Sequence, residues 1–149
     1  MSEAETARRQ DYAIEQRGKG YNCAQCVLMS LADKLGIDEA LAAKLTAAFG
    51  SGFAASGEIC GALSALGIAE GLAENDSTPQ AKLTAMKATH AMFERFKEEN
   101  DGRFRCRDLK GKEDTRSCPD LIRQAITIFI NHDDMVRHEG ESSHDIPAP

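Results

Sequence analysis

No stretch of this sequence approaches the roughly 20 apolar residues needed to span a bilayer. The opening MSEAETARRQDYAIEQR is polar and carries no apolar core of a secretory leader. These two absences predict a cytoplasmic protein that makes no use of a membrane. Clustered positive charge is missing as well. Eighteen Lys and Arg are scattered against 24 Asp and Glu, giving a net charge of -6. Phosphate binding depends on concentrated Lys and Arg that release counterions, so the balance excludes a nucleic-acid partner. No segment alternates β-branched with polar residues, no internal repeat is present, and no change of composition marks a domain boundary. The fold is therefore expected to be all-α, a single-domain bundle of five to six helices. At 149 residues the chain can bury a core without covalent staples.

The period of the apolar residues and the stop signals divide the chain as follows. A polar first helix over Glu3 to Arg17 ends at Gly18 and Gly20, and with only Tyr12 and Ile14 as large apolar residues it is expected to pack weakly. A second runs from Asn22 to Leu35, with Cys23, Val27, Leu31 and Leu35 along one face and Gly36 as its stop. Asp38 caps a third, alanine-rich helix reaching Phe49. The run Gly50 to Gly57 suits a tight turn or close helix approach; it lacks the Lys-Ser/Thr ending of a phosphate-binding loop. A fourth helix is expected from Glu58 to Ala73. Its interior Gly61 and Gly67 each cost about 0.5–1 kcal/mol relative to Ala, which implies a steric need for small residues, either within the chain or in a homodimer. Pro79 opens a fifth helix to Glu99 with a stripe of Leu83, Met86, His90 and Phe93. Arg103 to Ser117 reads as irregular, with one helical turn at Cys106 to Leu109. A last helix from Pro119 buries Leu121, Ile122, Ala125, Ile126, Phe129 and Ile130. The domain is expected over residues 1–135, followed by a disordered tail, 136–149.

What the sequence does have is five cysteines. In a reducing cytoplasm several cysteines are more often catalytic, redox-sensing or metal-binding than architectural. Cys23, Cys60 and Cys118 each fall at an expected helix start, where unpaired N–H groups and the helix dipole favour a thiolate. Cys106 lies among Arg103, Arg105 and Arg107. All four are thus expected to have lowered proton affinity. Glu58, beside Cys60, is explained by the dipole and receives no catalytic role.

The pieces Gly20-Tyr-Asn-Cys23-Ala-Gln, Gly57-Glu-Ile-Cys60-Gly-Ala-Leu-Ser-Ala-Leu-Gly67, Cys106-Arg-Asp-Leu and Cys118-Pro-Asp-Leu-Ile together resemble a family of redox-active proteins named for its cysteine pattern. The resemblance runs from about residue 18 to 130. It implies that Cys23, Cys60, Cys106 and Cys118 are the active cysteines of a small helical domain, with a redox partner protein to exchange electrons. Cys26 is additional to the pattern.

The residues leave three chemistries open. The four cysteines are catalytic thiols of a thiol-based oxidoreductase, working by thiol–disulfide exchange. Alternatively they are ligands of an iron–sulfur cluster or a metal ion. In the third reading they simply pack in a structural domain, as buried cysteines often do. A zinc ribbon is disfavoured because only Cys23-Ala-Gln-Cys26 has the CxxC form. A thioredoxin fold is disfavoured because no βαβ pattern surrounds that pair, and haem attachment because Val27, not His, follows Cys26. Cys26 itself is expected to pack. His90 is expected as a hydrogen-bonded core or boundary residue, and His132, His138 and His144 as solvated.

Overall fold

The computed structural model describes residues 3–74, 76–110 and 117–138. Seven helices are present among them: α1 (Glu3–Gly18), α2 (Cys23–Leu35), α3 (Glu39–Thr46), α4 (Gly61–Glu74), α5 (Pro79–Glu99), the single turn α6 (Cys106–Leu109) and α7 (Cys118–Asp133). There is no strand among the described residues; one isolated antiparallel bridge joins Ile59 and Arg105. The expected all-α bundle is what forms, down to the helical turn at Cys106 to Leu109.

Helix α2 is apolar nearly all round, which marks a central helix rather than a surface one. It is buried from Ala24 to Ala32 apart from Gln25, and touches α1, α3, α4 and α7. Its start is fixed by a capping box. The Asn22 side chain accepts from the Gln25 N–H at 2.9 Å, and the Gln25 side chain accepts from the Asn22 N–H at 3.0 Å. Gly36, in the left-handed conformation at φ +77°, closes the helix. Against α2 lies α7, whose expected stripe from Leu121 to Ile130 is buried in full, with Ile128 added.

Three expectations need correction. Helix α1 does not dock weakly. Arg9 reaches across to the Ser30 carbonyl and the Asp33 carboxylate, both at 2.7 Å, and Gln10 bonds the Arg123 carbonyl and Thr127 at 2.8 Å. Polar groups replace the missing apolar ones. Helix α4 begins at Gly61 rather than Glu58, because Glu58 to Cys60 is extended and paired with Phe104 to Arg107. The Cys60 N–H donates to the Phe104 carbonyl at 2.9 Å, and the Cys106 N–H donates to the Glu58 carbonyl at 2.7 Å. On α5 the stripe was misphased. Met86 and His90 are exposed, whereas Met92 and Phe96 are buried and Phe93 is partly so. An open groove of about 520 Å³ is lined by Leu63 of α4 and by Met86, His90 and Phe93 of α5, and Met86 and His90 face solvent there.

The chain continues past α7 in a π-helical turn, Asp134–His138, so residues 136–138 are not a tail; the remainder of the expected disordered segment, with His144, lies outside the described residues. Arg137 holds this turn by donating to Glu70 and Asp133, both at 2.6 Å, and to Glu74 at 3.2 Å. Glu70 is completely buried, and desolvation pushes its carboxyl up to about 7 against the pull of Arg137. His132 is half-buried rather than solvated, and burial followed by the nearby Arg137 charge depresses its pKa. Among the described residues no helix is long and apolar enough to cross a membrane.

Candidate thiol site

Each of the four motif cysteines stands at the start of a helix. Cys23, Cys106 and Cys118 are the first residues of α2, α6 and α7, and Cys60 immediately precedes α4. The chain folds so that all four starts meet. Cys23, Cys60, Cys106 and Cys118 line a single cavity, closed by Gly61, Leu109, Lys110 and Leu121, with about 10 Å³ of free space. That is about the minimum for one water molecule. All five cysteines are free thiols. The sulfurs feel one another: charges on Cys118 and Cys106 act on Cys23, and charges on Cys23 and Cys106 act on Cys60.

The close approach depends on Gly61. A Cβ at that position would lie 2.6 Å from the Cys23 sulfur and 2.7 Å from the Phe49 carbonyl oxygen, inside any real contact. The steric need expected of α4 is therefore real at Gly61. It is absent at Gly67, where a Cβ would meet Thr89 at an ordinary 3.5 Å.

The expected thiolate character does not survive burial at the two sulfurs where the balance is resolved. Desolvation raises Cys23, and only in part do N–H groups such as that of Ser51 oppose it. Cys60 is pushed up to about 12, first by desolvation and then by Cys23, although the Leu63 and Ala62 N–H groups at the start of α4 favour its charged form. Helix-end stabilisation is small once the sulfur is cut off from water. Arg105 and Arg107 pair with Glu58, and Arg107 also donates to the Ser56 and Gly57 carbonyls at 3.1 Å. Cys26 is fully buried outside the cavity, its thiol facing the Tyr21 carbonyl at 3.7 Å and pushed up to about 11 by desolvation. It packs, as expected.

Access is uneven. Cys60 and Cys106 are buried, whereas Cys23 and Cys118 are partly exposed. The latter two also line an outer cleft of about 270 Å³ with Arg17, Gly20, Tyr21, Asn22, Ser51 and Lys110. Ser51 opens an unusual segment: Ser51, Gly52, Phe53, Ala54 and Ala55 all have positive φ, between 51° and 78°. This is a left-handed turn, costing about 1–2 kcal/mol per non-glycine residue. It is held by N–H groups of Ala54, Ala55, Gly57 and Glu58 donating to the carbonyls of Ala48, Gly50, Ser51 and Gly52. Sequence reasoning missed it, because only Gly52 in the run signals φ above zero.

The family model described as "Putative redox-active protein (C_GCAxxG_C_C)" matches residues 21–131. The chain belongs to this family. Its four patterned cysteines are those that meet at the cavity. The pattern sets Gly before and Ala after its second cysteine, and the redox-family chain described here has Ile59 and Gly61 in those places. No curated protein and no solved structure matches the chain.

The donor set bears on the metal alternative. Four thiols suit a soft metal or a cluster, but the space between them takes one water molecule, far less than an assembly of iron and sulfide. Among the described residues no three His, Cys, Asp or Glu side chains are placed to hold a metal ion. An iron–sulfur cluster does not fit this arrangement.

Proposed function

We propose that the protein is a cytoplasmic thiol oxidoreductase that exchanges disulfides through Cys23 and Cys118, with Cys60 and Cys106 as an inner dithiol. The observation that carries this reading is the graded access to one sulfur cluster: four cysteines share a cavity, and two of them also line a cleft open to solvent. Exchange requires an attacking sulfur that a substrate can reach and a second sulfur near enough to resolve the mixed disulfide. Cys118, at the positive end of α7 and on the cleft, suits attack. Cys23, which lines both the cavity and the cleft, suits resolution. Because Cys60 and Cys106 line the same cavity, a Cys23–Cys118 disulfide is handed inward by exchange with them, leaving the outer pair reduced. Each transfer moves two electrons and two protons from one dithiol to another disulfide.

The test is anaerobic purification followed by thiol counting and peptide mapping before and after mild oxidation, with iron and sulfide measured on the same sample. Exchange predicts reversible loss of thiols in pairs, the first being Cys23–Cys118, in metal-free protein. Stoichiometric iron and sulfide, or thiols that do not pair, would overturn it.

A further inference from the structure

The cleft over Cys23 and Cys118 has a chemical bias that the exchange reading does not itself require. Among the described residues its cationic lining side chains are Arg17 and Lys110. Both are exposed, and neither forms an ion pair with a described residue. Among the described residues no acidic side chain lines the cleft. The walls also include Tyr21, Asn22 and Cys23 at the start of the 13-residue α2, and Cys118 at the start of the 16-residue α7. The positive ends of two long helices therefore point toward the space that the two cations flank. At about 270 Å³ the cleft falls just below the 300–1,000 Å³ typical of sites for drug-sized ligands.

We propose that this cleft binds small disulfides that carry carboxylates, with Arg17 and Lys110 holding the anionic groups while the disulfide bond lies against Cys118. The inference rests on the exchange reading and specifies its substrate class. The overall charge of -6 opposes an anion at long range. At physiological ionic strength that repulsion is screened beyond about 8 Å, whereas contacts inside the cleft are not. The Cys118 thiolate attacks one sulfur of R–S–S–R, the S–S bond breaks, and the departing RS⁻ takes a proton from water. Cys23 releases its proton to water and attacks the Cys118 sulfur, expelling the second RS⁻, which is protonated in turn. The substrate is reduced to two thiols, and the protein is oxidised by two electrons to a Cys23–Cys118 disulfide.

The experiment oxidises the full-length, fully reduced protein with three probes of similar size: dithiodipropionate (anionic), hydroxyethyl disulfide (neutral) and cystamine (cationic). Thiol loss is followed against time. The anionic probe is expected to react about tenfold faster than the cationic one after correction for their reactivity with a free thiol, and the preference should shrink with added salt. In the double variant R17Q/K110Q the ratio should approach one, and in R17K/K110R it should return. A ratio of one in the unaltered protein, or a ratio unchanged in R17Q/K110Q, would overturn the assignment of the cleft while leaving exchange intact. Failure of every probe to oxidise Cys23 and Cys118 would instead remove the exchange reading and this one with it.

Discussion

Gly61, Gly67 and Gly71 lie on the same helix, and replacing each with Ala should have different consequences. A glycine-to-alanine change inside a helix gains up to about 1 kcal/mol from backbone propensity. At Gly71 a Cβ would meet nothing within 4 Å, and at Gly67 only Thr89 at 3.5 Å. Both variants should therefore be stabilised by about 0.5–1 kcal/mol. At Gly61 the new methyl would sit 2.6 Å from the Cys23 sulfur and 2.7 Å from a backbone carbonyl. The sulfur can rotate away, but the carbonyl moves only if the turn at Ala47–Phe49 moves with it. Overpacking of this kind costs about 1–3 kcal/mol, so the propensity gain is outweighed and Gly61→Ala should lose about 1–2 kcal/mol. Urea unfolding under reducing conditions measures all three, with an unchanged m-value as the check that the same transition is being compared. Each kcal/mol corresponds to about 2–4 °C in Tm for a domain of this size. A Gly61→Ala protein as stable as Gly71→Ala would refute the claim that α4 is pressed against Cys23.

Ala54→Gly should relieve left-handed strain of about 1–2 kcal/mol at φ +53°, less about 0.4–1 kcal/mol of added chain entropy in the unfolded state; a small rise in the urea midpoint is the expected result, and a fall would refute the strained turn. Iodoacetamide should label Cys23 and Cys118 well before Cys26, Cys60 and Cys106, as read by peptide mapping; early labelling of Cys60 would contradict its burial. Because the folded Cys60 pKa of about 12 lies above its ordinary value near 9, its contribution to stability is complete below pH 9 and is lost as pH rises toward 12; Cys60→Ala should show a shallower alkaline decline in urea midpoint than the unaltered protein. Glu70, pushed up to about 7, contributes in the same sense, fully below pH 4.5 and less as pH rises through about 7. Glu70→Gln should lose that slope when unfolding is measured from pH 4 to 8.

Local rules of helix formation carried most of the architecture. The Asp38 cap, the Gly36 stop, Pro79 and the Leu121 to Ile130 stripe each act over a turn or two, and each stands where the sequence places it. The sequence also marked Cys23, Cys60 and Cys118 by their positions at helix starts and Cys106 by its neighbouring arginines, all of them local facts. The failures concern partners distant in the chain. Nothing near Glu58 announces that Phe104 to Arg107 will pair with it and delay α4, and nothing in Leu83 to Phe93 reveals that Met86 and His90 will be left exposed. The same cause explains the reversal at Cys23 and Cys60. Position at a helix end is visible in sequence, whereas exclusion of water by surrounding elements is a tertiary property, and at these sulfurs it is the larger influence.

The two-sided backbone pairing beneath the cluster gives its sulfurs unequal mechanical freedom. Cys60 and Cys106 are tied to opposite rungs of one short ladder, each donating its own amide across to the other segment. They are in effect buttoned together by main chain. Cys23 and Cys118 belong to separate helices, which meet through side chains, including the Lys34–Asp133 ion pair at their far ends. Fluctuations of the bundle should therefore open and shut the outer pair while the inner pair travels as one body. In hydrogen exchange the Cys60 and Cys106 amides should be released by a common opening event with matching protection, so that breathing at the cleft admits a substrate without prising apart the sulfurs behind it.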